Sequence, residues 1–196
     1  MTDTVRSFVA VPLPEDLRAR IAEAAQELAR ELPGVKWSRK LENLHITVKF
    51  LGQVGEDKLA AFADALAQAL APLPRFRLEL RRMGAFPSAR RANVLWVAAD
   101  DVERGLAAVA AAVEDVGERL GFERDRRTFT GHVTVGRAQR ATGGVDARAA
   151  LEAFATREFG ATTIEEVHVY ESRLGGGPHS DGSTYVLRHK AALGSN

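Results

Sequence analysis

The sequence predicts an α+β fold of two pseudo-twofold-related lobes, each a mostly antiparallel sheet with helices on its outer face, and a central cleft between them. Two observations support this prediction. Strand-like and helix-like segments follow the same order in both halves, and their spacing is nearly equal: Phe8 precedes His45 by 37 residues, and Trp96 precedes His132 by 36. This period is too long for a solenoid and fits a duplicated lobe. With 196 residues and 45% apolar content, the chain is expected to form one bilobal domain over residues 1–196.

The first half begins with an apolar run over residues 7–13, which predicts a buried strand. Acidic residues after Pro14 favour a helix start, and Gly34 favours its end. The apolar residues between them recur at helical spacing: Leu17, Ile21, Ala24, Leu28 and Leu32. The next predicted elements are a strand over 44–51, a helix over 56–70 and a strand over 76–83.

The second half repeats this order. A strand is predicted over 93–99, and a helix is predicted to start at Asp100 and Asp101 and to end at Gly121, with Val102 on its buried face. A strand over 129–135, a helix over 145–155 and a strand over 164–172 follow. The segment 184–189 is the expected hairpin partner of the last strand, across a loop that contains Gly175–Gly177.

Composition excludes several classes of site. The chain has no cysteine, which rules out disulfides, thiolate nucleophiles and zinc–thiolate centres. No stretch of 18 apolar residues is present, and the N-terminal run is too short for a secretory signal and contains Pro12. We therefore expect a cytoplasmic protein without a membrane partner, and a monomer. The formal net charge of +1 neither favours nor excludes an anionic partner.

Arginine is common and crowds one stretch of the second half. Its guanidinium group suits bidentate phosphate recognition, but arginine also occurs on protein surfaces where it only keeps the protein hydrated. Both interpretations remain open for these residues: Arg119, Arg124, Arg126, Arg127, Arg137 and Arg140.

Each half contains one strand with a His-x-Thr motif. Because side chains alternate along a strand, His45 and Thr47 point to one face, and His132 and Thr134 do the same in the second half. One such motif is usually structural. Two motifs at matched positions of an internal repeat predict a pair of platforms that face each other across the cleft.

A pair of imidazoles suits the opening of a cyclic phosphodiester. One takes a proton from water and the other gives a proton to the leaving oxygen, and histidine titrates close enough to neutrality for both states. Threonine hydroxyls can donate to the non-bridging phosphate oxygens. This scheme requires no metal and no other cofactor, and the sequence contains no His-Glu-x-x-His, no Asp-rich calcium loop, no P-loop and no serine nucleophile elbow.

The remaining histidines have no equivalent in the other half. His168 alternates with two valines and is predicted to lie on the solvent side of its strand. His179 falls in the glycine-rich loop, and His189 lies near the C-terminus.

The motifs resemble those of the RNA 2′,3′-cyclic phosphodiesterases, also called 2′-5′ RNA ligases, of the two-histidine phosphoesterase superfamily. The resemblance spans about residues 6 to 190. It is strongest in Glu-Asn-Leu-His-Ile-Thr-Val-Lys-Phe-Leu-Gly over 42–52 and in Phe-Thr-Gly-His-Val-Thr-Val-Gly-Arg over 129–137. One departure is Gly131, where the family often has proline.

The resemblance implies a two-lobed fold, an RNA partner with a 2′,3′-cyclic phosphate end, and hydrolysis to a 2′-phosphate. It implies that His45 donates a proton to the leaving 3′-oxygen and that His132 activates water; the residues alone leave the two equivalent. It also implies that Thr47 and Thr134 hold the phosphate.

Three further positions are less simple. Arg137 matches a family position near the phosphate and Phe50 a family aromatic near the base, yet strand alternation points both away from the active face unless, at Arg137, Gly136 permits a bulge. The same alternation places Lys49 on the active face, where it could contact RNA phosphate.

Three alternatives remain open at this point. The same fold could ligate RNA or hydrolyse other 2′-linked or cyclic nucleotides. It could bind RNA ends without catalysis, although the presence of both His-x-Thr motifs argues against that. It could also be a scaffold without a site.

Overall fold

The computed structural model describes residues 4–38, 40–139, 143–173 and 183–195. Within these ranges it contains nine strands and four α-helices. The strands are β1 (Thr4–Pro12), β2 (Val35–Trp37), β3 (His45–Gly55), β4 (Phe76–Ser88), β5 (Arg91–Asp100), β6 (His132–Ala138), β7 (Glu158–Ile164), β8 (Glu166–Arg173) and β9 (Thr184–Ala192). The helices are α1 (Glu15–Ala29), α2 (Glu56–Leu70), α3 (Gly105–Arg119) and α4 (Arg148–Glu152), and a 3₁₀ turn, Leu41–Asn43, precedes β3.

All nine strands lie in one sheet, and the named strand pairs are antiparallel. The order is β7-β4-β5-β6-β3-β1-β8-β9, with β2 paired to β6. One lobe contains β6, β5, β4 and β7, and the other contains β3, β1, β8 and β9. The two lobes meet where Ile46 of β3 pairs with Val133 of β6. The predicted α+β fold of two antiparallel lobes is confirmed, and the lobes form one continuous curled sheet.

Each lobe contains strands from the other half of the sequence. β4 ends the first half but pairs with β5 as a hairpin, and β8 ends the second half but pairs with β1. Hairpin pairing is local and therefore costs little loop-closure entropy. The internal repeat predicts the order of elements but carries no information about which sheet the last strand joins.

The helices cover the face of the sheet that carries the core. The buried side chains of α1 recur at helical spacing, as at Leu17, Ile21 and Leu28, and α1 packs against β6 and β7. α2 packs against α3 and β9, and α3 packs against β3 and β4. One apolar cluster extends through both lobes and includes Ile46 and Val133. The opposite face of the sheet is therefore free to carry polar side chains.

Several predicted boundaries are wrong: the first helix ends at Ala29 instead of near Gly34, and the strand expected over 129–135 is β6, which spans His132–Ala138. The helix expected from residue 100 starts at Gly105, because Asp100 still belongs to β5, and Val102 is 77% exposed. The helix expected over 145–155 is only Arg148–Glu152. The strand expected over 164–172 is β8, which pairs with β1, and β7, which pairs with β4 in the other lobe, was not predicted. The hairpin of β8 with β9 is confirmed, and its glycine-rich loop lies outside the described residues.

Candidate active site

The two His-x-Thr motifs lie side by side where the lobes meet. Ile46 and Val133 pair with each other and are fully buried, so their sequence neighbours point to the opposite face of the sheet. Continuing this antiparallel register by one residue in each direction places His45 opposite Thr134 and Thr47 opposite His132. The four polar side chains thus lie together on the face away from the core. The two histidines are diagonal to each other, and so are the two threonines.

Backbone carbonyls fix the same tautomer in both imidazoles. His45 Nδ1 lies 2.8 Å from the carbonyl oxygen of Asn43, and His132 Nδ1 lies 2.7 Å from that of Thr130. A carbonyl oxygen only accepts, so each Nδ1 carries the proton and each Nε2 is the acceptor in the neutral ring. This geometry leaves the lone pair of each Nε2 atom available to accept a proton.

The two Nε2 atoms differ in what they contact. The hydroxyl of Thr47 donates to His45 Nε2 at 2.9 Å. In the described part of the chain, His132 Nε2 has no hydrogen-bond partner. The first motif is thus internally bonded in the free protein, and the second presents an open basic nitrogen.

Aromatic rings pack around His45 more closely than around His132. The His45 ring lies 5.0 Å from Phe8 and 5.3 Å from Tyr185, measured between centroids. His132 makes an edge contact with Phe86 at 5.1 Å. Burial lowers the pKa of His45 to about 4; the hydrogen bond to the Asn43 carbonyl opposes this shift, and the charge of His132 adds to it. The free protein therefore holds His45 neutral near pH 7.

Because His45 is buried, the free energy of unfolding should depend on pH. Between pH about 6.5 and about 4 the unfolded chain protonates this imidazole and the folded chain does not, so stability falls as the pH falls through that window. We expect the wild type to lose up to about 3 kcal/mol more than His45→Gln between pH 7 and pH 4. Urea unfolding at both pH values measures this difference, and equal losses in the two proteins would contradict it.

A β-bulge turns Arg137 towards the cleft. Two successive residues of β5 pair with Thr134 and Gly136, which leaves Val135 as an extra residue in β6. The bulge reverses the alternation beyond it, and Arg137 lines the cleft. A Cβ at Gly136 would lie 2.7 Å from a methyl group of Val35, so glycine permits β2 to approach the strand here.

The first motif carries an equivalent bulge. Two successive residues of β1 pair with Thr47 and Lys49, which leaves Val48 as the extra residue. Phe50 therefore lies on the cleft face, where its side chain is 65% exposed. Phe50 and Arg137 each follow the motif threonine by three residues and hold equivalent places in the two lobes.

The prediction that Lys49 lies on the active face is wrong. The bulge at Val48 turns this side chain to the core side, where only 6% of the residue is exposed. Its Nζ donates to a carboxylate oxygen of Glu114 at 2.7 Å and to the carbonyl oxygen of Glu123 at 2.8 Å. Lys49 thus ties the first motif strand to α3 and to the segment that leads into β6, and it is not among the residues that line the cleft.

The cleft beside the motifs has a volume of about 580 Å³. Both lobes line it, through β1, β3, β8 and β9 on one side and through β2 and β6 on the other. Its lining includes the predicted residues His45, Thr47, Thr134, Phe50 and Arg137. His132 is not among the lining residues and stands next to Thr47 by strand register.

Sequence reasoning assigned no role to several residues that line the cleft. They are Arg6, Lys36, Trp37, Asn43 and Tyr185. Asn43 supports the first histidine through its carbonyl oxygen and ties the segment before β3 to β9, because its side-chain amide donates to the carbonyl oxygen of Ser183 at 2.9 Å. These positions carry no periodic signal, because their proximity depends on the pairing of strands distant in sequence.

His168 is buried, which corrects its predicted place on the solvent side. Its Nε2–H donates to a carboxylate oxygen of Glu166 at 2.6 Å, and its Nδ1 accepts from the hydroxyl of Tyr170 at 2.8 Å. The hydrogen-bonded side chains Glu166, His168 and Tyr170 occupy alternate positions of β8. The ring of Tyr170 stacks on that of Phe8. His179 lies outside the described residues.

The arginine-rich stretch does not act as one patch. Arg124 pairs with Asp115 and Glu118, and Arg127 pairs with Asp125 at 2.7 Å. Arg137 alone of these arginines lines the cleft, and Arg140 lies outside the described residues. Arg124 and Arg127 are therefore explained by ion pairs at the protein surface and not by phosphate recognition.

Two kinds of feature are absent from the described residues. Among them, no group of three or more histidine, cysteine, aspartate or glutamate side chains is arranged to hold a metal ion. No helix among them has both the length and the apolar character needed to cross a membrane.

Comparison with known proteins agrees with this geometry. A family model described as LigT-like phosphoesterase matches residues 11–96. An Archaeoglobus fulgidus protein named RNA 2′,3′-cyclic phosphodiesterase is 34% identical over 170 residues, which cover 87% of this chain and 89% of that protein. The chain belongs to the RNA 2′,3′-cyclic phosphodiesterase family. A Methanocaldococcus jannaschii protein of the same name is 29% identical over 87% of this chain and 92% of its own.

Solved structures similar to this member of the family include the crystal structure of Escherichia coli LigT in its apo form. It is 25% identical, has a TM-score of 0.74, and the match covers 98% of this chain and 99% of that one. The same E. coli protein complexed with 3′-AMP is 25% identical with a TM-score of 0.70, over 97% and 99% of the two chains. The two-lobed fold of the RNA 2′,3′-cyclic phosphodiesterase family thus extends over nearly the whole chain.

Proposed function

We propose that this protein hydrolyses RNA 2′,3′-cyclic phosphate ends to 2′-phosphate ends by metal-independent acid–base catalysis. The observation that carries the proposal is the pair of His-x-Thr motifs, placed diagonally on one face with each Nδ1–H bonded to a backbone carbonyl. The names of the relatives, RNA 2′,3′-cyclic phosphodiesterase, support the same substrate.

The proposed step is an attack of water on the cyclic phosphorus. His132 Nε2 takes a proton from the water as its oxygen bonds to phosphorus. The bond from phosphorus to the 3′-oxygen breaks, and that oxygen receives the proton from His45 Nε2. The product has a 2′-phosphate and a free 3′-hydroxyl, and exchange with solvent restores the proton on His45 and removes it from His132.

One feature of the free protein supports this division of roles between the histidines, and a second must change when the substrate binds. His132 Nε2 is free of partners among the described residues and is open to water. His45 is neutral in the free protein, so as a donor it must gain a proton when substrate binds. A phosphate anion beside His45 Nε2 raises the pKa of that imidazole, because a negative charge favours the protonated form.

The neighbouring side chains are proposed to hold the substrate. Phosphate replaces His45 as the partner of the Thr47 hydroxyl, and Thr134 donates to the same phosphate from the other lobe. Arg137 adds a positive charge near the reacting group, and the exposed ring of Phe50 offers a surface for a base.

The direct test uses a short RNA that ends in a 2′,3′-cyclic phosphate, incubated with the protein in excess EDTA. We expect conversion to a 2′-phosphate, identified by resistance of the end to a 3′-phosphatase and by mass spectrometry. Formation of a 3′-phosphate would retain the two histidines but reverse the leaving oxygen. Turnover only after addition of a divalent ion would overturn the metal-independent mechanism.

The same proposal covers the assembly and location of the protein. Because one chain supplies both motifs and the cleft lining, we propose that it acts as a monomer and as a single two-lobed domain. We also propose a cytoplasmic location. Ligation is the same chemistry with an RNA 5′-hydroxyl in place of water, and a joined product in the EDTA assay would reveal it.

A further inference from the structure

Three cationic side chains line the cleft: Arg6, Lys36 and Arg137. Arg6 lies on β1 in the lobe of His45, and Lys36 and Arg137 lie opposite each other on β2 and β6. In the part of the chain that the structure describes, none of the three forms a salt bridge. Many other arginines are paired with carboxylates, as in the ion pairs of Arg157 with Glu27 and of Arg188 with Glu56.

The cleft is also free of negative side chains. No aspartate or glutamate occurs among its described lining residues, although the whole chain has 26 acidic residues and a net charge of only +1. Positive charge is therefore concentrated in this one concave surface, where low-dielectric walls strengthen its field. Burial raises the pKa of Tyr185, and the charges of Arg137 and Arg6 both oppose that rise, which places the two guanidinium groups near one phenol.

The three positive side chains in the cleft exceed what the cyclic phosphate end of the substrate requires. A 2′,3′-cyclic phosphate carries one negative charge, and Arg137 with the two threonine hydroxyls already serves it in the proposed mechanism. Arg6 and Lys36 remain, one on each side of the cleft and beyond the His-x-Thr platform. A polymer supplies matching charges, because each internucleotide phosphate of an RNA strand adds one.

We propose that Arg6 and Lys36 bind the backbone phosphates that precede the cyclic end, so that the protein selects RNA chains over cyclic mononucleotides. This inference rests on the proposed function and specifies its substrate class. Arginine and lysine from opposite lobes then hold the strand across the cleft while its last nucleotide occupies the motif face. Contacts between charged groups and phosphate contribute affinity that a mononucleotide cannot use.

The test compares a cyclic mononucleotide with a trinucleotide that ends in the same cyclic nucleotide. For Arg6→Gln and for Lys36→Gln, we expect the ratio of kcat/KM for the trinucleotide to that for the mononucleotide to fall about tenfold. The salt dependence of trinucleotide binding should weaken by a slope of about 0.7 for each lost phosphate contact. The matched control is Arg30→Gln, which removes an exposed arginine outside the cleft and should retain the wild-type ratio.

A trinucleotide with uncharged internucleotide linkages provides a second test. Replacing both internucleotide phosphates of the trinucleotide with methylphosphonates removes both proposed contacts, so it should reduce the wild-type ratio at least as far as either single substitution does. Equal losses on both substrates, or an unchanged ratio, would overturn the phosphate subsite and leave the proposed hydrolysis intact. Absence of turnover on either substrate by the wild type would instead contradict the proposed function itself.

Discussion

Replacing either His45 or His132 with alanine is expected to lower kcat for cyclic-phosphate hydrolysis at least about a hundredfold. Each imidazole serves one proton transfer, and neither threonine can replace it. The double variant should lose little more than the worse single variant, because groups that act together are not additive. Steady-state assays on the cyclic trinucleotide measure these effects, and the wild-type pH profile should be bell-shaped, with one limb lost in each variant.

The control is another histidine of the same sheet. His189→Ala on β9 removes an imidazole that does not line the cleft, and it should retain nearly wild-type activity. Circular dichroism and thermal unfolding must show that all three variants are folded. If a folded His45→Ala or His132→Ala variant kept most of the activity, the two-histidine mechanism would be wrong.

Loss of the carboxylate that pairs with Lys49 is expected to produce the largest change in stability. The Lys49 side chain is 5% exposed and that of Glu114 is 16% exposed, so Glu114→Ala leaves a desolvated ammonium group with the Glu123 carbonyl as its remaining hydrogen-bond partner. Breaking a buried pair in this way costs about 3 kcal/mol or more, and for a chain of this size we expect Tm to fall by about 6–12 °C.

An exposed ion pair and an apolar replacement provide the controls. Asp146→Ala breaks the pair of Asp146 with Arg148, whose side chains are 51% and 63% exposed, and should lower the stability much less than Glu114→Ala does, because water screens the exposed charges. The double variant Lys49→Met/Glu114→Leu should recover most of the lost stability, because apolar side chains can replace a buried pair. If the Glu114→Ala protein were as stable as the Asp146→Ala protein, the buried pair of Lys49 with Glu114 would not stabilise the fold as predicted.

Much of the fold can be predicted from the sequence because its signals are local. A continuous apolar run identifies β1 and alternation of apolar residues identifies β3 and β6. Helical spacing identifies α2 to the residue and the place of α1, although α1 ends at Ala29 and not near Gly34. The errors occur where tertiary pairing overrides the local pattern. Residues 164–172 are predicted as one strand, but Glu165 separates Ile164, the last residue of β7, from β8, which belongs to the other lobe.

The direction of side chains beyond the motifs could not be predicted in the same way. Simple alternation assigned Lys49 to the cleft and pointed Phe50 and Arg137 away from it. Extra residues at Val48 and Val135 reverse all three assignments. A bulge is a property of two paired strands, so one strand's sequence shows at most a permissive residue such as Gly136.

By itself the sequence determined the duplicated order of elements, the two His-x-Thr motifs and the absence of any cysteine chemistry, because each is a matter of composition or short-range spacing. Only the tertiary structure decided the exchange of β4 and β8 between the lobes, the place of Lys49 in the core and the convergence of Arg6, Lys36 and Arg137 on one cleft. These features depend on which distant strands pair and in what register. That pairing is selected by the burial of apolar surface summed over the whole chain.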